Sequence, residues 1–207
     1  MPSLIAETRK TPWKAVNEIN RYLLLPRLRL MFALAGVDWG QGWRLYGAPR
    51  IQRHRESVMH FGDHMELRSS PASNPLGVNH RVGLCTWLPG AELIVGDHFG
   101  MTGGSIVAAQ SVRIGNRVMI GANTVIADTD FHPLDAATRA NAPHLGANKP
   151  IVIGDDVFIG MQCLILKGTI IGTGSVIGAG SVVSGEIPAG VIAAGNPARV
   201  IRSLDEG

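Results

Sequence analysis

One histidine stands among three aspartates in the stretch DTDFHPLD, residues 128–135. An imidazole titrates near about 6.5, so at neutral pH His132 can take a proton from a weak acid and hand it back. A neighbouring carboxylate, Asp130 or Asp128, could orient the ring and stabilise the imidazolium. The same aspartates are also ordinary turn formers. His144 follows in the same polar stretch and reads as a solvent or interface residue. Upstream, His54, His60 and His64 accompany the basic run RIQRHRE, His80 stands alone, and His98 sits in VGDHFG. The basic run could reach a phosphate, but it reads more simply as a solvated strand face.

What positions His132 is a repeat. From Ile153 the chain divides into sixes: IGDDVF, IGMQCL, ILKGTI, IGTGSV, IGAGSV and VSGEIP. Their leading residues are Ile153, Ile159, Ile165, Ile171, Ile177 and Val183, and their fifth residues are mostly small or β-branched. The same beat is led upstream by Ile114, Ile120 and Ile126, then weakens through Val95-Gly96 and a hexad led by Val107. A period of six matches neither a helix nor a plain strand. It describes a short strand and a turn, repeated, with the leading aliphatic inward and the glycine after it turning the corner. Three hexads close one triangular coil, and stacked coils form a parallel β-helix, a quasi-one-dimensional solenoid.

The count fails once. Ile126 and Ile153 are not separated by a multiple of six, and DFHPLDAATRANAPHLGANKP between them is polar and holds Pro133, Pro143 and Pro150. This segment must leave the solenoid as a loop near residues 130–150. Loops projected from a rigid scaffold are where catalytic groups concentrate.

Composition agrees with tight, repeated turns: hydrophobic residues are 45% of the chain, aromatics only 5%, and there are 26 glycines. A formal charge of +3 does not demand nucleic acid; anionic small molecules or a membrane surface satisfy it equally. Cys85 and Cys163 show no metal or redox spacing and read as free thiols. MPSLIAETRK lacks the apolar core of a signal peptide, which predicts a cytoplasmic protein. Residues 11–36 read as one helix, or two joined at Pro26, starting at Thr11-Pro12 and stopping at Gly36. Lys14, Arg21, Arg27 and Arg29 make this segment basic and amphipathic. It either packs on the main domain or touches the inner face of a membrane peripherally. The expected organisation is a helical segment over residues 1–43 and a β-helix domain over residues 44–207.

The hexads, the loop at DTDFHPLD and the ending AAGNPARVIR resemble the hexapeptide-repeat acyltransferases, and most of all the sugar and polysaccharide O-acetyltransferases. The likeness is strongest over residues 95–204. It implies a mainly β fold, a left-handed β-helix with a short C-terminal tail, to which residues 11–36 add an N-terminal helical segment that carries no family signature. It implies acetyl-CoA as acyl donor, no metal, and a saccharide acceptor of polysaccharide biosynthesis. It also implies a homotrimer with sites between subunits. His132 matches the family's catalytic histidine, with Asp130 as its orienting acid. Phe158 would border the acyl pocket, and Met161 and Ala179 the pantetheine arm. Ser184, Gly185, Arg199 and Arg202 would lie near the adenosine end, with His98 and Thr102 on the acceptor side.

The chain also departs from the family. Gly185 stands where many relatives carry Lys. Thr102 and Ala108 or Ala109 stand where relatives acting on simple sugars carry Asn and Asp. The family's acceptor therefore does not carry over; a larger one, such as an exopolysaccharide, lipopolysaccharide or lipid-linked intermediate, would fit an open site and the basic amphipathic helix. A metal-dependent hydratase on the same scaffold would need three histidines as zinc ligands, and residues 95–126 hold only His98. Against a third alternative, a non-catalytic repeat scaffold, stands the resemblance of DTDFHP and of the ending GNPARVIR to the enzymes of the family.

Overall fold

The leading residues of the regular hexads all turn inward. Ile153, Ile159, Ile165, Ile171, Ile177 and Val183 are each no more than 2% exposed. Val157, Cys163, Thr169, Ser175 and Ser181, at the fifth positions, are buried beside them. The hydroxyls among these inner residues donate to backbone carbonyls: Thr169 to Leu166 O (2.7 Å), Ser175 to Pro188 O (2.6 Å) and Ser181 to Gly178 O (2.6 Å). A buried hydroxyl with a partner costs little, so a small polar residue serves there as well as an aliphatic one.

In the computed structural model, which describes residues 10–205, each coil gives one strand to each of three sheets. The first sheet runs through Arg44–Tyr46, Glu66–Arg68, Gly100–Thr102, Met119–Ile120, Phe158–Ile159, Val176–Ile177, Val191–Gly195 and Ala198–Ser203. The second runs through Arg50–Arg53, Gly83–Thr86, Ser105–Ala108, Val125–Ala127, Leu164–Ile165 and Val182–Val183. The third runs through Val58–Phe61, Glu92–Val95, Ser111–Ile114, Ile151–Ile153, Ile170–Ile171 and Glu186–Ile187. Neighbouring strands pair in parallel from coil to coil, and the whole is a left-handed parallel β-helix. Aliphatic residues stack on their equivalents, as Ile120 on Ile159 and Ile159 on Ile177.

At the edge between the third and first sheets, His64, His98, Arg117 and Asp156 all adopt positive φ, between 56° and 60°. The residue before each supplies a side-chain acceptor to the coil before it. Asp97 Oδ1 accepts from Asp63 N (2.8 Å), Asn116 Oδ1 from Asp97 N (2.9 Å), and Asp155 Oδ1 from Asn116 N (2.7 Å). This Asx ladder satisfies corner N–H groups that would otherwise lack partners.

The hexad expected to be led by Val107 is out of step by one residue. Val107 points outward and is partly exposed, while Ile106 and Ala108 are buried. The reason is coil length. The later coils keep the 18-residue turn, but Ile126 pairs back to Ile106, Leu84 to Ile51, and Val95 to Phe61. These coils carry extra residues at their corners, including the short 3-10 turn Pro71–Ser73, and the six-residue beat fades accordingly. The ending is also more than a tail: Ala198–Ser203 folds back antiparallel on Val191–Gly195 and closes the last coil.

At the other end, helix α1 spans Pro12–Leu34 as one helix that runs through Pro26. Thr11 takes the N-cap place, and Gly36 follows the helix at φ 67°. Leu28 and Phe32 enter the same core as the coils. Phe32 meets Trp43 edge-on at 5.2 Å, and Trp43 meets Phe61 at 6.0 Å, so an aromatic cluster closes the open end of the stack. Glu18 joins Arg21, Arg44 and Tyr46 in one network. Burial would raise the Glu18 carboxyl, but the hydrogen bonds from Tyr46 and Arg21 outweigh it and hold the pKa below the usual range. Among the described residues no helix is long and apolar enough to cross a membrane.

Candidate active site

The loop leaves the solenoid after Val125–Ala127 and returns at Ile151–Ile153, at the edge between the second and third sheets. Three contacts fix its root. Asp128 is fully buried, and its carboxylate accepts the N–H groups of Ala109 (2.6 Å), Gln110 (2.8 Å) and Ser111 (2.7 Å) from the coil before. Thr129 and Asn148 bridge antiparallel across the loop's neck. Asp130 pairs with Lys167 at 2.7 Å, on the coil that follows.

Within the loop, Asp135 caps the short helix α2, Ala136–Asn141, accepting from the N–H and the hydroxyl of Thr138 at 2.7 Å each. Those bonds hold the Asp135 carboxyl below the usual carboxylate range. Arg139 reaches back to the carbonyls of Pro133 (2.9 Å) and Leu134 (2.8 Å). The chain doubles so tightly that a Cβ on Gly146 would lie 2.6 Å from Phe131 C and 2.8 Å from His132 N.

His132 is exposed, and its Nδ1 lies 2.7 Å from the carbonyl oxygen of Pro143. A carbonyl only accepts, so Nδ1 carries the proton and the neutral ring presents a free lone pair on Nε2. Asp130, the carboxylate expected to orient the ring, is engaged by Lys167 instead, and Asp128 by backbone N–H groups. The ring's partner is thus a main-chain atom.

The other expected residues fall in three places. His98, Thr102, Phe158, Met161 and Ala179 line one groove of about 740 Å³ that crosses the first sheet from its edge with the third to its edge with the second. His98 stacks on His64 at 4.6 Å, nearly parallel. Thr102, 9% exposed, lies 3.5 Å from Asn74 Nδ2. Met119, Phe158 and Val176 give the groove an apolar lining. Ser184 and Gly185 are exposed in the turn between Val182–Val183 and Glu186–Ile187, at the edge from which the loop leaves. Arg199 and Arg202 are exposed on the final strand. His132 does not line the 740 Å³ groove, so one chain does not bring the histidine and that groove together.

Several participants had no signal in the sequence. The Pro143 carbonyl has no side-chain identity, Gly146 matters only through a close approach, and Lys167 and His64 are brought in by coil stacking. Among the described residues no group of three or more His, Cys, Asp or Glu is placed to hold a metal ion.

Comparison with known proteins agrees with this architecture. The bacterial transferase hexapeptide (six repeats) model matches residues 150–185, and the hexapeptide repeat of succinyl-transferase matches residues 105–127. Galactoside O-acetyltransferase of Escherichia coli is 39% identical over 102 residues, 49% of this chain and 49% of that protein. A 2,3,4,5-tetrahydropyridine-2,6-dicarboxylate N-acetyltransferase of Halalkalibacterium halodurans is 41% identical over 93 residues, 45% of this chain and 33% of that protein. The chain spans about half the length of the curated relatives it matches. The crystal structure of a hexapeptide-repeat-containing acetyltransferase from Vibrio cholerae superposes with a TM-score of 0.50 at 31% identity, covering 59% of this chain and 72% of that one. By its hexads, its three parallel sheets and these likenesses, the chain belongs to the hexapeptide-repeat acyltransferase family.

Proposed function

We propose that this protein moves an acetyl group from acetyl-CoA to a hydroxyl of a saccharide, with His132 as general base. The observation that carries the reading is the imidazole itself: it is exposed on a braced loop, with Nδ1–H held by Pro143 O, which leaves Nε2 as its basic atom. Nε2 accepts the hydroxyl proton as the oxygen attacks the thioester carbonyl. The new C–O bond forms, the C–S bond breaks, and the proton passes to the leaving thiolate. Such general-base help is worth about 10²–10⁴-fold. Backbone N–H groups at a coil turn would meet the oxyanion.

The donor's acyl and pantetheine parts are assigned to Phe158, Met161 and Ala179, and its nucleotide to Ser184, Gly185, Arg199 and Arg202. His98 and Thr102 are assigned to the acceptor side. Because His132 and the Phe158 groove lie on different edges of the prism, the reading needs a second copy. A three-fold assembly about an axis parallel to the stack brings the loop edge of one chain against the groove of the next. Exposed Leu164, Leu166, Val152 and Ile170 flank the loop edge and would be covered by such a contact. The protein works in the cytoplasm on this reading, with α1 resting on the membrane through Val16, Ile19, Leu23 and Leu30, all more than half exposed. Asp130 serves as an anchor of the loop through Lys167.

Incubation with acetyl-CoA and a panel of sugars and amino sugars tests the bond formed. Thiol release accompanied by a hydroxylamine-labile ester supports O-transfer. A hydroxylamine-stable amide would replace it with N-transfer, and no thiol release with any acceptor would refute acyl transfer altogether.

A further inference from the structure

The second sheet carries, on its first coils, a groove that the proposed transfer does not use. Two cavities of about 630 and 550 Å³ share Gln52, Cys85 and Trp87 as a common wall. Arg53, His54 and Arg55 border the first; Arg50, His80 and Arg81 border the second. Among the described residues no aspartate or glutamate lines either cavity, although Glu56 follows Arg55 in the chain.

Not all of this charge is free. Arg53 donates to Ala35 O (3.2 Å) and Ser57 O (2.8 Å), and so holds the end of α1. His80 Nε2 meets Ser105 Oγ at 3.0 Å. Arg50 is exposed and, among the described residues, hydrogen-bonds only to the neutral Gln52 amide, and Arg81 is exposed. Both guanidinium groups therefore keep their charge for a ligand. Trp87, 55% exposed, offers a bare ring. Phe131, the residue before His132, lines the second cavity, so that cavity leads to the catalytic loop. A cationic wall, an aromatic platform and an exit toward the histidine belong together in a site for a sugar that carries negative charge.

We propose that this groove selects the acceptor: an anionic saccharide whose phosphate or carboxylate meets Arg50 and Arg81, whose ring lies on Trp87, and whose hydroxyl reaches His132 past Phe131. This rests on the acyl-transfer reading. It also gives the transfer a polarity. The donor's nucleotide is assigned to the last coils, the basic groove occupies the first, and the loop with His132 leaves between them. Two anionic partners then approach from opposite ends and do not compete for the same cations.

A binding titration on the full chain tests this apart from turnover. The probes are a nucleoside-diphosphate sugar, a hexuronic acid trisaccharide and a neutral trisaccharide. We expect one charged probe to bind at least tenfold more tightly than the neutral one, with affinity falling as salt rises. The first two arms tell phosphate from carboxylate. The Arg50→Ala/Arg81→Ala double variant should lose that preference while keeping its affinity for acetyl-CoA. Trp87→Ala should weaken every saccharide probe. Equal binding of the neutral probe, binding of none, or a double variant that keeps the preference would each overturn the proposal. So would a double variant whose assembly state changes on gel filtration, because the groove would then be a contact between copies. Loss of acyl transfer with the charge preference intact would sink the transfer reading and leave the groove standing.

Discussion

Pro143 O accepts the Nδ1–H of His132 at 2.7 Å, and a carbonyl cannot change its protonation state. It fixes the tautomer as a carboxylate would, but adds no countercharge for the imidazolium. Asp130 is then an anchor, paired with Lys167. We expect Asp130→Asn to lower stability by about 1 kcal/mol, in the range of a partly exposed pair, and to reduce thiol release less than tenfold. A hundredfold loss would make the carboxylate the ring's partner after all. Gly146 is the more sensitive position. A Cβ there would press on the backbone of Phe131 and His132 at 2.6–2.8 Å, and misplacing a reacting group by an ångström can cost about 10²-fold. Gly146→Ala should therefore lower kcat by about 10–100-fold, read by thiol release, with KM for acetyl-CoA held. An unchanged kcat would mean that the loop absorbs the methyl without moving the ring.

Helix α1 and the loop show what an element contributes here. The solenoid's core needs a lid at its open end, and Phe32, completely buried against Trp39 and Trp43, supplies it. Phe32→Ala should cost about 3–5 kcal/mol in chemical denaturation; a loss under about 1 kcal/mol would mean that the helix is not part of the cooperative core. The regular coils from Ile153 onward were legible in the sequence because each repeats one environment with a single spacing. The first coils were less so: pairings such as Phe61 with Val95 and Leu84 with Ile51 span corner insertions that erase the beat, and Val107 was misplaced by one residue for that reason. The loop was legible as a break in count, and His132 with it. Its orienting atom was not, since any residue can offer a carbonyl. Nor was the basic groove, since RIQRHRE reads as a solvated strand until Trp87 and Phe131 are placed across from it.

At the scale of the whole molecule, the prism separates the histidine from the groove of Phe158, Met161 and Ala179, and the proposed three-fold assembly would restore the pair. Co-refolding inactive His132→Ala chains with inactive Ala179→Trp chains should recover activity, because about a quarter of the sites in a random 1:1 trimer join an intact loop to an intact groove. A mixture as inactive as its parents would confine each site to one chain. The base is the centre of the proposed chemistry, and His132→Ala addresses it most directly. With the fold checked by its thermal transition, we expect the variant to bind acetyl-CoA like the wild type and to release thiol in the presence of acceptor 10²–10⁴-fold more slowly. A rate within threefold of wild type would contradict general-base catalysis by His132.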